Sequence, residues 1–347
     1  MSAITARQLW FSKPGTVELR EQTLPEPQAD QLLLRTLCSG ISAGTELLVY
    51  RGQIPETLSL DASLAALGDE QINYPLQYGY ASVGCVEQVG SDIDSAWLGR
   101  KAFCFQPHGS HFLASSDALI PLPDDISAEA AVFLANMETA VNLLLDARPQ
   151  LGDKVLVMGQ GIVGLLVTQI LAQFPLAELC VADPLAQRRR LAESIGATAS
   201  FDPNDDDDRK RLQQLLQPEE ATGADIVLEL SGAPVAMNQA LALCAYSGRL
   251  VVGSWYGSKT AELALGERFH RNRIELISSQ VSSIAPALSG RWDKARRFEV
   301  AWDMIRKSQP EQFISHRLPL DKAAEAYAML DEGSEDVMQI VFDYQQE

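Results

Sequence analysis

Basic residues are scarce in this sequence. In 347 residues, 28 lysines and arginines face 46 aspartates and glutamates, a formal net charge of −18. That balance repels phosphate backbones and anionic lipid, so a general nucleic-acid or membrane-surface role is excluded. Cysteine is sparse as well. Cys38, Cys85, Cys104, Cys180 and Cys244 lie far apart, and none forms a C-x-x-C pair. A disulfide scaffold is therefore excluded, and the five read as reduced thiols of a cytoplasmic protein. Long apolar runs are missing too: no stretch reaches spanning length, and Met1–Arg7 lacks the apolar core of a signal sequence. Secreted and membrane-spanning readings are set aside. What remains is a chain with 46% apolar and 21% charged residues, ordinary for a globular protein with sizeable cores. Its length fits two domains.

The chain changes character near Pro121. Before it, short apolar runs such as Leu32–Leu34, Ser82–Val86 and Lys101–Phe105 alternate with glycine and proline, which predicts a β-rich domain. From Lys154 to about Ser279 the rhythm becomes strand, helix, strand, helix. Strands are expected at Lys154–Met158, Glu178–Ala182, Asp225–Leu230, Arg249–Val252 and Ile274–Ile277. Helices are expected at Ile162–Phe174, Leu185–Ile195 and Val235–Ala245. Such alternation implies parallel strands with helices on both faces. Helices near Asp293–Ile305 and Asp321–Leu330 and a strand at Gln339–Phe342 follow. The acidic run Asp202–Asp208 lacks the glycine and closing glutamate of a calcium loop. It precedes a helix expected at Arg209–Leu216, where aspartates cap the N-terminus.

The most specific motif is Gly159-Gln160-Gly161-Ile162-Val163-Gly164, a G-x-G-x-x-G between an expected strand and an expected helix. Asp183 follows at the end of the next strand, at the spacing of about 20 residues that completes a dinucleotide-binding fingerprint. The pyrophosphate belongs at the helix N-terminus, where unpaired N–H groups and the dipole favour anions. The Asp183 carboxylate accepts from the adenosine ribose hydroxyls and repels a 2′-phosphate, which favours NAD over NADP. Arg188-Arg189-Arg190 is the counter-evidence, since arginine there can hold a 2′-phosphate; these three are expected on the solvent face of their helix.

With these motifs in place, the whole chain resembles the medium-chain dehydrogenase/reductase superfamily, best known for zinc alcohol dehydrogenases. Val86–Gly90 with Leu98–Phe103 looks like that superfamily's "V-x-x-V-G … G-D-R-V" stretch. Asp117–Pro123 looks like the strand leaving its barrel, and Leu318–Leu320 with Ala323–Tyr327 resembles its closing element. The resemblance implies an α/β chain with two domains. A chaperonin-10-like (GroES-like) β-barrel catalytic domain is expected over 1–122 and 284–347. A Rossmann domain, a doubly wound parallel sheet of strand order 3-2-1-4-5-6, is expected over 123–283. It also implies a small-molecule substrate held with nicotinamide, and a homodimer or homotetramer. Ser39–Pro55 and Tyr74–Gly84 resemble the bacteriochlorophyllide dehydrogenases and their relatives more closely.

The departures concern zinc. Zinc-dependent members carry a Gly-Ile-Cys-Gly-Thr-Asp-like loop, a Gly-His-Glu motif and a third ligand. Here Ser42 stands in Gly40–Glu46 where the cysteine falls, Gly79-Tyr80-Ala81 replaces Gly-His-Glu, and no cysteine occurs in Leu134–Glu138. The structural four-cysteine lobe is missing. A catalytic zinc needs about three N, S or O ligands, so no zinc is expected. Glu46, Glu138, His108 and His111 are left as an unconventional set without ligand spacing.

Without a metal, a hydrogen-bond donor must polarise the substrate oxygen. The candidates are Tyr80, Thr45, Glu46, Ser42 and His108, with His111 beside them. Tyr80 takes the place of the metal-binding histidine, and it either donates to substrate or fills the vacated space. Thr45 and Glu46 form either a proton path or a self-bonded turn. His108 is either an active-site loop histidine or an exposed one. Cofactor contacts are expected from Gly159, Gly161, Ile162, Val163, Gly164 and Asp183. To these the resemblance adds Thr139, a position that approaches the nicotinamide, and Gly253 is counted with them. Trp255 and Tyr256, just after it, either wall the cofactor or pack. The leading reading is a zinc-independent NAD(H)-dependent oxidoreductase of an alcohol/carbonyl pair. The alternatives are an NADPH-dependent enoyl or quinone reductase and a non-catalytic dinucleotide-binding redox sensor.

Overall fold

A computed structural model describes residues 4–55, 73–217, 219 and 222–344; Met1–Ala3 of the N-terminal stretch lie outside the described residues. The chain divides into two compact units, Met1–Ala135 with Gln309–Glu347, and Asn136–Ser308. The changes of unit thus come later along the chain than 122 and 283. One cause is the fully buried Arg297, which bonds Glu138 and Asn142 of the helix Leu134–Ala147 and so ties the helix Lys294–Ser308 to the second unit.

In the second unit, six strands lie in the order Ala199–Phe201, Glu178–Ala182, Lys154–Met158, Ala224–Glu229, Cys244–Val252 and Glu275–Ser278. Every pairing is parallel, which is the expected 3-2-1-4-5-6 sheet. The strand residues Val155–Met158 and Leu179–Ala182 are buried continuously, as strands covered on both faces must be. The helix ends are set by local chemistry. Asp205 caps the helix Asp206–Leu216 by accepting from the N–H groups of Asp207 and Asp208, so the acidic run serves as a cap. Pro234 starts the helix Pro234–Leu243 at a position where its missing N–H costs nothing.

The first unit takes both ends of the chain. Its seven-stranded mixed sheet runs Ile314–Pro319, Gln339–Asp343, Gln31–Gly40, Ser82–Val89, Lys101–Cys104 and Leu119–Pro121, with His111–Ser115 also paired to Gln31–Gly40. A hairpin of Ile4–Lys13 and Thr16–Leu24 lies beside it, and main-chain bonds from Leu9 N to His108 O and from Phe11 N to Leu76 O fasten it there. The helices Ala43–Tyr50 and Ala323–Glu332 pack over one core with Leu9, Phe11, Tyr327 and Phe342. All five cysteines are free. No helix among the described residues is long and apolar enough to cross a membrane.

Candidate functional site

The dinucleotide loop joins the strand Lys154–Met158 to the helix Ile162–Leu171. Its three glycines do different things. Gly159 has φ +93, and a Cβ there would lie 2.6 Å from the backbone of Leu230 and Ser231, so the loop backs directly onto the end of the neighbouring strand Ala224–Glu229. A Cβ on Gly164 would collide with the carbonyl oxygen of Gly159. At Gly161, a Cβ would meet nothing nearer than Arg188 Nη1 at 4.0 Å. An open cradle therefore lies before a helix whose cap residue, Gly161, has no side chain to satisfy the first N–H groups. Ile162 and Val163 stand half-buried in that first turn. The residues present thus fit a dinucleotide pyrophosphate.

Asp183 sits beside this loop, only 3% exposed. Its Oδ2 accepts from Gln160 N at 2.7 Å and its Oδ1 from Leu185 N at 2.9 Å. The carboxylate thus braces the turn, and each oxygen keeps a lone pair for a hydroxyl. The arginine triplet corrects an expectation. Only Arg190 is exposed; Arg188 and Arg189 are half-buried. Arg189 Nη1 bonds the carbonyls of Asp183 and Pro184 and the carboxylate of Asp202. Arg188 faces the Gly161 cradle, and its buried Nε has no partner among the described residues. The sequence reading named this residue but set it on the solvent face, yet a signal to the contrary existed. Leu185, Arg188, Arg189 and the buried Ala192 recur at i, i+3, i+4 and i+7, which marks an inward helical face.

In the same unit, Thr139 is half-buried on the helix Leu134–Ala147. The missing side chain of Gly253 makes room for Leu143 and Leu230, whose methyl carbons would lie 2.6 and 2.7 Å from a Cβ. Tyr256 donates to the buried Glu229 at 2.6 Å, and burial followed by that bond raises its pKa. Trp255 is 40% exposed.

In the first unit, the expected polar residues fall into two layers. The outer one is a pair: the Tyr80 hydroxyl donates to Thr45 Oγ1 at 3.1 Å, and both residues are half-buried. The inner layer is sealed. Glu46 and His108 are fully buried and meet at 3.0 Å between Oε2 and Nε2. His108 is thus no exposed loop histidine. Glu46 Oε1 accepts from the N–H of Ser42, itself 7% exposed. Tyr327 is a partner that sequence reasoning missed. Its hydroxyl donates to Glu46 Oε2, and burial, then the carboxylate, holds its pKa well above the ordinary phenol value.

These side chains do not fit a catalytic zinc. Among the described residues, no group of three or more His, Cys, Asp or Glu side chains could hold a metal ion. The unconventional set is dispersed among other partners. Glu138 bonds Arg297, His111 faces Glu87 at 3.8 Å, and Glu46 and His108 face each other. Burial lowers the pKa of His111.

The comparisons agree with the fold. Residues 163–299 match a family model described as zinc-binding dehydrogenase. The chain is 26% identical over 347 residues to the uncharacterized zinc-type alcohol dehydrogenase-like protein YphC of Escherichia coli K12, covering 92% of this chain and 94% of that one. The RspB alcohol dehydrogenase of E. coli CFT073, solved with NADH, superposes with a TM-score of 0.78 at 18% identity, over 98% of this chain and 99% of its own. A Sinorhizobium meliloti 1021 protein solved with NADP superposes with a TM-score of 0.77 at 18% identity, over the same shares.

Proposed function

Because this chain belongs to the medium-chain dehydrogenase/reductase superfamily, that of the zinc-type alcohol dehydrogenases, and is an NAD(P)-dependent oxidoreductase, we propose that it interconverts a small alcohol and its carbonyl with NAD(H) and without zinc. The observation that carries the cofactor half is the open cradle at Gly161, ahead of the uncapped first turn Ile162–Gly164. When bound, the nicotinamide supplies the hydride acceptor or donor. The chain's own groups bind and move the proton. The backbone N–H groups of that turn would hold the pyrophosphate, Asp183 would accept from the ribose hydroxyls, and Thr139 would approach the nicotinamide. In oxidation the Tyr80 oxygen takes the substrate O–H proton as Tyr80 passes its own to Thr45 and Thr45 releases one to solvent; in reduction the same relay runs in reverse and Tyr80 protonates the forming alkoxide. Ser42 closes the turn below Thr45.

A second reading, NADP(H), is favoured by one observation. The Arg188 guanidinium stands beside the cradle with its Nε unpartnered, where a 2′-phosphate could engage it. Against it, the Asp183 carboxylate braces the same loop. The free thiols suit a reducing, cytoplasmic setting. The edge strand Glu275–Ser278, with Leu276 40% exposed, suits a homo-oligomer.

The test is a screen of alcohols with NAD and of carbonyls with NADH, coupled to elemental analysis of the purified protein. Turnover at a metal content near zero, insensitive to chelators, is expected. Tyr80→Phe then lowers kcat by about 10²–10³, the usual loss for one oriented donor, with NADH affinity unchanged. One tightly held zinc per chain, removed only with loss of activity, would overturn the metal-free reading. An unchanged kcat in Tyr80→Phe would remove that hydroxyl from the chemistry.

A further inference from the structure

Glu46 collects hydrogen bonds from three directions. Its Oε1 accepts from Ser42 N at 2.7 Å, and its Oε2 from His108 Nε2 at 3.0 Å and from the Tyr327 hydroxyl. Behind His108 the chain of bonds continues. Nδ1 meets Ser39 Oγ at 2.7 Å, and Ser39 Oγ meets the Tyr344 hydroxyl at 2.8 Å. A carboxylate can only accept, so His108 Nε2 and the Tyr327 hydroxyl are the donors to Glu46. With a neutral imidazole, Nδ1 accepts from Ser39 and Ser39 in turn accepts from Tyr344. Five segments therefore converge on one carboxylate: the end of the strand Gln31–Gly40, the start of the helix Ala43–Tyr50, the loop before His111, the helix Ala323–Glu332, and the chain after Asp343.

This series is poorly suited to carry a proton. Ser39, Glu46, His108 and Tyr327 are each 0% exposed and Tyr344 is 5% exposed, so neither end opens to water. Its contacts suit a different task. Glu46 reaches back to the N–H at the helix cap, Ser42, and so fixes the turn that carries Thr45. The His108 ring lies against Gly79, where φ is +125 and a Cβ would meet ring Cδ2 and Nε2 at 2.9 Å. Gly79 precedes Tyr80. Glu46 therefore backs one member of the Thr45–Tyr80 pair and His108 backs the other.

We propose that Glu46 and His108 are positioning residues that hold Thr45 and Tyr80 in register, with Tyr327 setting the orientation of the carboxylate. The proposal deepens the donor reading of Tyr80 and rests on it for its catalytic meaning, while the geometry it asserts can be read separately. Tyr327→Phe removes one donor to Glu46 and keeps the ring, which stacks on Tyr50 at 5.5 Å and meets Phe11 edge-on at 5.2 Å.

The experiment places 3-fluorotyrosine at position 80 of the full chain and records its ¹⁹F resonance in wild type, Thr45→Val, Tyr327→Phe and His108→Asn. Thr45→Val, which deletes the acceptor of the Tyr80 hydroxyl, defines the shift for loss of that bond. Tyr327→Phe and His108→Asn are expected to move the resonance in that same direction, while a second label at Tyr256, in the other unit, stays in place. An unmoved resonance at position 80 in folded Tyr327→Phe and His108→Asn overturns the proposal. So does equal movement of both labels, which would report a general disturbance. Should His108→Asn fail to fold, Ser39→Ala interrupts the same series one bond further away and is read identically. The donor reading stands or falls on turnover of Tyr80→Phe, a separate measurement, so the two failures are told apart.

Discussion

Two alanine substitutions five ångströms or so apart along the dinucleotide loop should have opposite consequences, because the glycines they replace are constrained by different neighbours. At Gly164 a methyl would strike the Gly159 carbonyl oxygen, which belongs to rigid backbone, so the turn must shift. Overpacking of this kind costs about 1–3 kcal/mol, or roughly 2–12 °C in Tm for a unit of this size. At Gly161 the backbone is extended, φ −69 and ψ −175, and the nearest atom to a new methyl is Arg188 Nη1 at 4.0 Å. The fold should therefore tolerate Gly161→Ala within about 0.5 kcal/mol. Its effect falls on the ligand. The methyl occupies the space through which a pyrophosphate reaches the N–H groups of Ile162 and Val163. Losing one charge-assisted bond there costs about 1.5–3 kcal/mol, or roughly 10–150-fold in affinity. Thermal unfolding of the ligand-free variants and fluorescence titration with NADH read the two effects separately. Wild-type NADH affinity in Gly161→Ala, or equal loss of stability in both variants, would refute the assignment of the cradle.

Two further outcomes follow from the same geometry. Asp183→Ser should shift the ratio of NADH to NADPH affinity toward NADPH, and Arg188→Ala toward NADH; unchanged ratios in both would show that neither side chain reads the ribose. Arg297→Met should cost about 3–5 kcal/mol in chemical denaturation, since it strands the buried Glu138 carboxylate together with Asn142 Oδ1 and the Val281 and Ser283 carbonyls. Adding Glu138→Met should return part of that loss, and a double variant less stable than Arg297→Met would contradict the pairing.

What the sequence determined alone is what depends on near neighbours. The glycine loop between a strand and a helix, the capping role of the acidic run Asp202–Asp208 and the alternation that yields a parallel sheet each involve residues within a few turns of one another, so composition and spacing report them. The particular cap, Asp205, and a helix start three residues before Arg209 came from the structure. Even the inward face of Arg188 was present as helical period. The Glu46 site differs in kind. Tyr327 is 281 residues from Glu46, and Tyr344 is 305 from Ser39. No local rule places a phenol from the far end of the chain on that carboxylate. The return of the chain to the first unit, pairing Gln339–Asp343 with the strand Gln31–Gly40, brings them together. Whether Glu46 and His108 face substrate or lie beneath the residues that do is likewise a matter of burial. Side-chain type decides which chemistry is available, whereas exclusion of water by packed neighbours decides where it can be used.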